Sequence, residues 1–526
     1  MSRFVRASKY RHVFGQPGKK EYCIENLKIT NNAWDTNFVS ASGKYLSINW
    51  NASGGGAFAI LPLPSPFSGV SHNMPSKLPD IIPLARSHAG PVLDTDWSPF
   101  NDAIVASAGD DGKAMIWKVD DATFDGWGAD GWAPQDFDPV LRIDATPRRV
   151  GQVLFHPTAE HVLATATGEH TVKLWDLGSP ESAKAVLAGH ADTIQSLAFN
   201  PSGTLLVTTC RDRKIRLFDP RAGGEAVRIA DGHGGVKGAR VVWLGEHDRI
   251  ATTGFSKMSD RQVSIWDTAS LANIKTTTID QSSGVMMPFW SDNNILFLAG
   301  KGDGNIRYFE YESDTLHPLA EHKSTDPQRG MCFLPRRALS VADCEIARAY
   351  KLSGNSVEPI AFIVPRKADS FQADIFPPAP SAEPALTAGE FFSGKTAALK
   401  LVSLENGAIT TGAAPAPVPT PVSPVPAAAP VAPTPTRTAT APAPTPAPEP
   451  VPVKIEPPTP VVTSPVQTPS RSASYAPESD ETAALREENA QLVAELREAR
   501  EKIRNLELQV ETVRANARKA AALLDQ

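Results

Sequence analysis

Residues 389–396, Gly-Glu-Phe-Phe-Ser-Gly-Lys-Thr, fit the pattern G-x-x-x-x-G-K-[ST] letter by letter. At that spacing, backbone N–H groups and a lysine can cradle phosphates. A working phosphate loop follows a buried strand and opens a long helix. Here Ser-Ala-Glu-Pro at 381–384 precedes the match, and residues 397–404 after it are short and soon meet Asn406 and Gly407. No apolar run ending in Asp follows, so no nucleotide site is expected. Gly54, Gly55 and Gly56 lack a downstream helix and read as a tight strand turn. Cys23, Cys210, Cys332 and Cys344 form no C-x-x-C pair. Neither a metal site nor a disulfide framework is expected from them, and the pattern suits a reducing cytosol. There is no G-x-S-x-G turn. His and Asp recur, as acid–base chemistry would require, but they recur inside a repeat and read as structure. The chain is expected to be no enzyme and to hold no cofactor or metal.

The second chemistry-bearing feature is charge. The 526 residues carry a net charge of −6, against a general nucleic-acid binder. Residues 1–30 oppose that balance: Arg3, Arg6, Lys9, Arg11, Lys19, Lys20 and Lys28 face only Glu21 and Glu25. A basic segment on an acidic protein suits an acidic partner. The first residues, Met-Ser-Arg-Phe-Val-Arg, contain no apolar signal region, and no run of 18 apolar residues predicts a membrane span.

The elements that must position these residues form a repeat. One unit runs from His88 through Trp97 and Asp111 to Trp117, and another from Val150 to Trp175. Others run from His190 to Phe218, from His233 to Trp266, and on to Phe309. From Trp175 onward the unit ends are 43, 48 and 43 residues apart. Each unit holds short β-branched runs broken by Gly, Asp, Asn or Ser-Pro turns. A period near 40–45 with Gly-His and Trp-Asp pairs is the pattern of WD repeats, four-stranded blades of a β-propeller. Residues 34–63 read as a degenerate blade upstream, and residues 330–352 supply strands for one more, so the expected count is seven. In the first clear unit, His88, Ser107, Asp111 and Trp117 are expected to form a structural hydrogen-bond network; Phe218 lacks the indole donor. The extra length at residues 120–138 reads as a surface loop. Closing the ring requires an early strand to pair with the last blade, and residues 5–14 are the candidate.

These motifs resemble those of the coronins, actin-regulating propeller proteins. The resemblance rests on Val-Arg-Ala-Ser-Lys-Tyr-Arg-His-Val-Phe-Gly-Gln-Pro at 5–17 and on Ala-Ser-Gly-Gly-Gly-Ala-Phe at 52–58. It extends to Val-Pro-Arg-Lys-Ala-Asp-Ser-Phe-Gln-Ala-Asp-Ile-Phe-Pro-Pro at 364–378. It covers roughly residues 1–405. It implies an all-β, seven-bladed WD-repeat propeller over 1–360 and a C-terminal extension packed on its underside over 361–410. It also implies binding and bundling of filamentous actin in the cytoplasm, at the actin cytoskeleton. By motif the family's basic actin contact falls on Lys28, with Arg6, Lys9 and Arg11 expected as neighbours. The actin-branching complex is a further partner that the resemblance implies. The alternative is a WD-repeat scaffold for other proteins that never touches actin.

Downstream, 20 of the 47 prolines lie in residues 411–470. With no aromatic residue there, residues 411–476 read as a disordered, polyproline-II-biased linker. Residues 477–526 carry six heptads. Leu485, Leu492, Ala499, Leu506, Val513 and Ala520 fall at d; Asn489, Leu496, Ile503, Val510, Ala517 and Leu524 fall at a. This is an oligomerising α-helical coiled coil. In a parallel arrangement Lys502 pairs with Glu507, and Lys-Ile-Arg-Asn-Leu-Glu at 502–507 resembles the coronin trimerisation motif. Val493, Leu508 and Leu523 widen the apolar stripe, so a homotrimer or a tetramer is expected.

Overall fold

The computed structural model describes residues 6–414, apart from residues 54, 64–74, 128, 130, 368 and 369. The β-branched runs form strands, and seven four-stranded antiparallel sheets follow one another along the chain. Their first strands are Val39–Ala41, Val92–Trp97, Val150–Phe155, Ile194–Phe199, Arg240–Trp243, Met286–Ser291 and Gln328–Phe333. One cavity of about 200 Å³ is lined from all seven of these strands, by Val39, Asp94, Gln152, Ser196, Arg240, Pro288 and Cys332 among others. The sheets are therefore blades around a central channel, as the repeat predicts. The second strands lie between neighbouring blades. Val162–Thr167, Leu206–Cys210 and Ile295–Gly300 are buried along their whole length. A strand covered on both faces needs no polar alternation.

Ring closure differs in detail from the sequence expectation. The strand that completes the seventh blade is Phe14–Pro17, paired with Ser356–Ile363 in the register Phe14↔Ile363 to Pro17↔Ile360. The expected segment, residues 5–14, overlaps it only at Phe14. Its apolar members do other work. Tyr10 and Val13 are buried in a turn in which Val13 N–H donates to Tyr10 O at 3.0 Å. Tyr308 Oη donates to Val13 O at 2.9 Å. Pro17 is tolerated because it lies on the sheet's outer edge. Gly15 is needed because a Cβ there would stand 2.8 Å from His322 Nδ1.

The insertion at residues 120–138 is also not a merely solvated loop. Phe124 and Trp127 are buried and stack with centroids 5.8 Å apart, and Trp127 stacks on Trp132 at 5.0 Å. Tyr45 of the first blade meets Phe124 at 5.8 Å. Burial of aromatic area drives this packing.

After the seventh blade the chain runs along the face that carries the first-to-second-strand turns. Ile375 and Phe376 pack with Tyr10, Val13, Met287 and Tyr308. Leu386, Ala388 and Phe391 pack on Ala159 and Val162 of the third blade. The chain then forms a small sheet from Ala379–Pro380, Lys400–Val402 and Ile409–Thr411. The letters that fit a phosphate loop sit on a five-residue helix, Ala388–Phe392, capped by Thr387 and Glu390. Gly394, Lys395 and Thr396 follow this helix instead of opening one, and Lys395 pairs with Glu390 at 2.6 Å.

The blade network assembles as its residue types require. His88 Nδ1 donates to Asp111 at 3.0 Å, which leaves Nε2 to accept from Ser107 Oγ at 2.7 Å. Trp117 Nε1 donates to the same hydroxyl at 2.9 Å. Thr165 plays this part for Trp175, and Thr252 serves both Trp266 and His233. In the fourth blade Phe218 only packs on the His190 ring, 5.4 Å away. Ser107→Ala strands two buried polar groups and is expected to cost about 2–3 kcal/mol. Ser107→Thr, copying the neighbouring blades, is expected to restore most of that. Urea midpoints at unchanged slope measure both, and equal midpoints for Ser107→Ala and the parent would refute the network's contribution.

Candidate functional site

Lys28 lies where the second-to-third-strand turns of the first and seventh blades meet. Its carbonyl accepts from Asn51 N–H at 2.6 Å, and Leu27 N–H donates to Asn355 O at 2.8 Å. Ile29 bridges to Trp50. The Lys28 side chain is exposed, and its Nζ donates to the carbonyl oxygen of Asp80 at 3.0 Å. Among the described residues no carboxylate pairs with it, so its charge is not neutralised.

Arg6, Lys9 and Arg11 do not join it. Arg6 pairs with Glu310 and, at 2.7 Å, with Glu312, at the far end of the sixth blade's third strand, Asn305–Glu312. Lys9 donates to the carbonyl of Asp374, and Arg11 to that of Arg6. From Arg6 on this face the chain climbs the edge of the seventh blade. Phe14 lies opposite Ile363, Ile24 bridges to Val357, and Leu27 reaches Asn355. Eight strand residues separate the two ends, roughly 26 Å. The expectation that Arg6, Lys9 and Arg11 neighbour Lys28 is thus corrected: net charge in sequence does not report which face each residue reaches.

Beyond Lys28 the chain crosses the mouth of the channel and is fixed to four blades. Arg329 donates to Thr30 O at 2.5 Å, and Thr36 Oγ1 donates to Leu93 O. Trp34 Nε1 donates to Gly151 O at 2.8 Å, and Lys301 Nζ lies 4.0 Å above the Phe38 ring and 3.6 Å from Asp35. A Cβ on Gly151 would fall 2.6 Å from the Trp34 ring, so glycine is required there. The Arg149 guanidinium stacks over Trp34 at 5.2 Å. On the same face Val236 and Met258 are 81% and 84% exposed, beside Lys237 and Lys257.

Within the channel, Asp94 and Asp96 lie two apart on one strand and so share a face. Each accepts one cross-blade bond, Asp94 from Val153 N–H at 3.2 Å and Asp96 from Phe155 N–H at 2.8 Å. Enclosure pushes Asp94 up to about 8 and Asp96 up to about 7. Burial, reinforced by the charge of Arg240, lowers Lys301 to about 7, against the pull of Asp35. Sequence reading missed Trp34, Asp94, Arg149 and Arg240, because each acquires its role only through a distant blade. Among the described residues no group of three or more His, Cys, Asp or Glu is placed to hold a metal ion. No helix there is long and apolar enough to cross a membrane. The coil's seam residues, 485–524, and residues 415–476 of the expected linker lie outside the described residues; at the start of that linker, expected from residue 411, Thr411 instead ends the strand Ile409–Thr411 and Gly412 N–H donates to Leu399 O at 2.8 Å.

Three kinds of relative were found. Family models match as a domain of unknown function (DUF1899) over residues 3–68, as a WD domain, G-beta repeat over 82–118 and 182–219, and as a type of WD40 repeat over 357–399. The chain is 51% identical over 409 residues to Coronin-like protein crn1 of Schizosaccharomyces pombe, covering 76% of this chain and 65% of that one. It is 47% identical to Coronin-like protein of Saccharomyces cerevisiae, covering 75% and 60%. With Coronin-A of Dictyostelium discoideum it shares 41% identity, covering 79% and 89%. The chain thus spans under two thirds of the length of the two yeast relatives. The crystal structure of the WD40 domain of Toxoplasma gondii coronin superposes with a TM-score of 0.67 at 27% identity, covering 75% of this chain and 97% of that one.

The channel carboxyls make stability depend on pH. A carboxyl whose pKa is raised on folding holds its proton longer in the folded state, so stability falls as pH rises from about 4 to about 8. Asp94→Asn is expected to flatten this decline and to stabilise the protein at pH 8 by about 2 kcal/mol. That is below the full linkage value because partial exposure screens the charge. Urea unfolding at pH 5 and pH 8 measures it; an equal pH dependence in the variant would refute it.

Proposed function

The chain belongs to the coronin family, and from that premise we propose that its propeller binds actin filaments through the face that carries Lys28. The observation that carries this reading is Lys28 itself, exposed and without a carboxylate partner among the described residues on a segment bound at both sides by backbone contacts. Arg6, by contrast, is neutralised by Glu310 and Glu312. An acidic filament responds to unneutralised charge, and more strongly at low salt. The segment that presents Lys28 is fixed on either side, so little ordering entropy is lost on contact.

In the same proposal, residues 477–526 associate into a trimer or tetramer and give one oligomer several propellers. Multivalency then raises avidity and lets one oligomer bundle two filaments, at the actin cytoskeleton in the cytoplasm. The actin-branching complex is a further partner in this reading, drawn from the family resemblance. The second reading, a WD-repeat scaffold that recruits other proteins without actin, draws on exposed Val236 and Met258, since exposed apolar residues on a charged face suit protein contacts.

Cosedimentation with actin filaments at two salt concentrations tests the assignment. Lys28→Asp is expected to weaken binding by about tenfold or more at low salt, whereas Arg11→Asp, on the opposite face, leaves it unchanged. Equal binding by Lys28→Asp and the parent would sink the Lys28 contact. No sedimentation of the parent chain would favour the scaffold reading. Removing residues 477–526 is expected to abolish bundling while monovalent filament binding persists, as low-speed and high-speed pelleting distinguish.

A further inference from the structure

Arg240 opens the first strand of the fifth blade and is only 7% exposed. Its Nη2 has no hydrogen-bond partner, and no carboxylate pairs with the guanidinium among the described residues. The other buried arginines of this propeller are paired. Asp280 and Asp303 hold Arg261 at 2.6 Å each, Asp212 holds Arg216 at 2.6 Å, and Glu345 holds Arg348. Asp35 and Asp94 act on Arg240 only through space, and Asp35 already faces Lys301 at 3.6 Å. A buried, unpaired guanidinium costs several kcal/mol unless something balances it.

Arg240 lines a cavity of about 370 Å³ at the channel mouth, together with Trp34, Asp35, Arg149, Thr193 and Arg211. A neighbouring cavity of about 430 Å³ shares Trp34, Arg149 and Thr193 and adds Arg148. The acidic groups here are already engaged: Asp110 with Arg149 at 3.1 Å, Asp192 with Arg211 at 4.0 Å, and Asp35 with Lys301. Arg240 and Arg148 remain in surplus. The side chain of Arg149 is nearly half exposed and that of Arg211 more so, so an incoming ligand meets charge at the rim.

We propose that this cavity binds a phosphate monoester, with Arg240, Arg211 and Arg149 as its cationic lining and the Trp34 ring as its apolar wall. Planar guanidinium forks match phosphate oxygens, and a dianion serves several of them at once, which a single carboxylate does not. The volume exceeds what a bare ion fills and suits a phosphate with an attached organic group. That group could belong to a soluble phosphate ester or to a phosphorylated side chain of a partner protein, and both present the same chemistry.

Thermal unfolding of the full chain, titrated with sodium pyrophosphate at ionic strength held constant by sodium chloride, tests this. The melting temperature is expected to rise saturably with pyrophosphate. Arg240→Met is expected to melt no lower than the parent in pyrophosphate-free buffer, since it removes an unpaired charge, and to lose the rise. Should that variant fail to fold, Arg211→Gln on the exposed rim is expected to weaken pyrophosphate binding about tenfold. A rise in the parent no larger than with sodium chloride alone would mean that water fills the cavity, and would overturn the proposal. So would an equal rise in Arg240→Met, or in Arg211→Gln where that variant is the one assayed. A phosphoserine tripeptide titrated beside its unphosphorylated form identifies the source. Its binding assigns the site to phosphorylated proteins, whereas a response to pyrophosphate alone assigns it to small soluble phosphate compounds. Lys28→Asp leaves the titration unchanged, so the outcome is independent of filament binding.

Discussion

A ring of blades is held shut by one pairing, and in this protein that pairing joins the two ends of the propeller. The last blade has three strands of its own, Gln328–Phe333, Glu345–Ser353 and Ser356–Ile363, and takes its fourth from Phe14–Pro17. Without that strand, the N–H and C=O groups along one edge of Ser356–Ile363 would be open to any other chain. Much of the remaining architecture follows. Having closed the ring on one face, the chain must climb the blade edge, and it reaches the opposite face at Lys28. It must then cross the channel mouth, where Trp34 and Asp35 are fixed, before it enters the first blade at Val39. Closure, the presentation of Lys28 and the cover over the channel are one continuous stretch of backbone.

The two faces differ in how they use charge. On the face that carries Arg6, arginines are engaged by the protein itself. Arg6 meets Glu310 and Glu312, Arg366 meets Asp374, and Arg336 reaches Asp292 at 3.1 Å and the carbonyl of Pro377 at 2.8 Å. These contacts hold the terminal segments down. On the opposite face, Lys28, Arg148 and Arg240 have no carboxylate of their own among the described residues. Structural ion pairs are a weak source of net stability, so their value on the first face is chiefly positional.

The blades were legible because their information is local. The spacing of His88, Ser107, Asp111 and Trp117 specifies contacts within one blade, and Phe218 correctly marks where the indole is missing. The closing strand was misread because Phe-Gly-Gln-Pro carries almost no strand preference; its partner imposes the conformation. Apolar residues at 5–14 looked more strand-like, but Tyr10 and Val13 are turn residues anchored by Tyr308. Phe124 and Trp127 were hidden in a Gly- and Asp-rich stretch whose composition suggests solvent. Arg240 could not be read at all. Its burial and lack of a partner arise from Trp34 and from several different blades, which no window of sequence contains. The basic N-terminal segment was visible as a sum of charges, but its division between two faces depends on the climb along the seventh blade.

The location of the closing strand also has a temporal side. Phe14–Pro17 leaves the ribosome before any of the seven blades is made, yet its partner follows roughly 350 residues later, at synthesis rates on the order of 20–70 s. Throughout that interval each newly made blade can pack on the one before it, but the ring stays open. The pairing that completes it has one of the longest sequence separations available to this domain, and such contacts form late because the loop entropy is lost before the contact rewards it. The strand made before the blades is therefore the one that completes the ring after them, and a substitution there acts on the final step of folding.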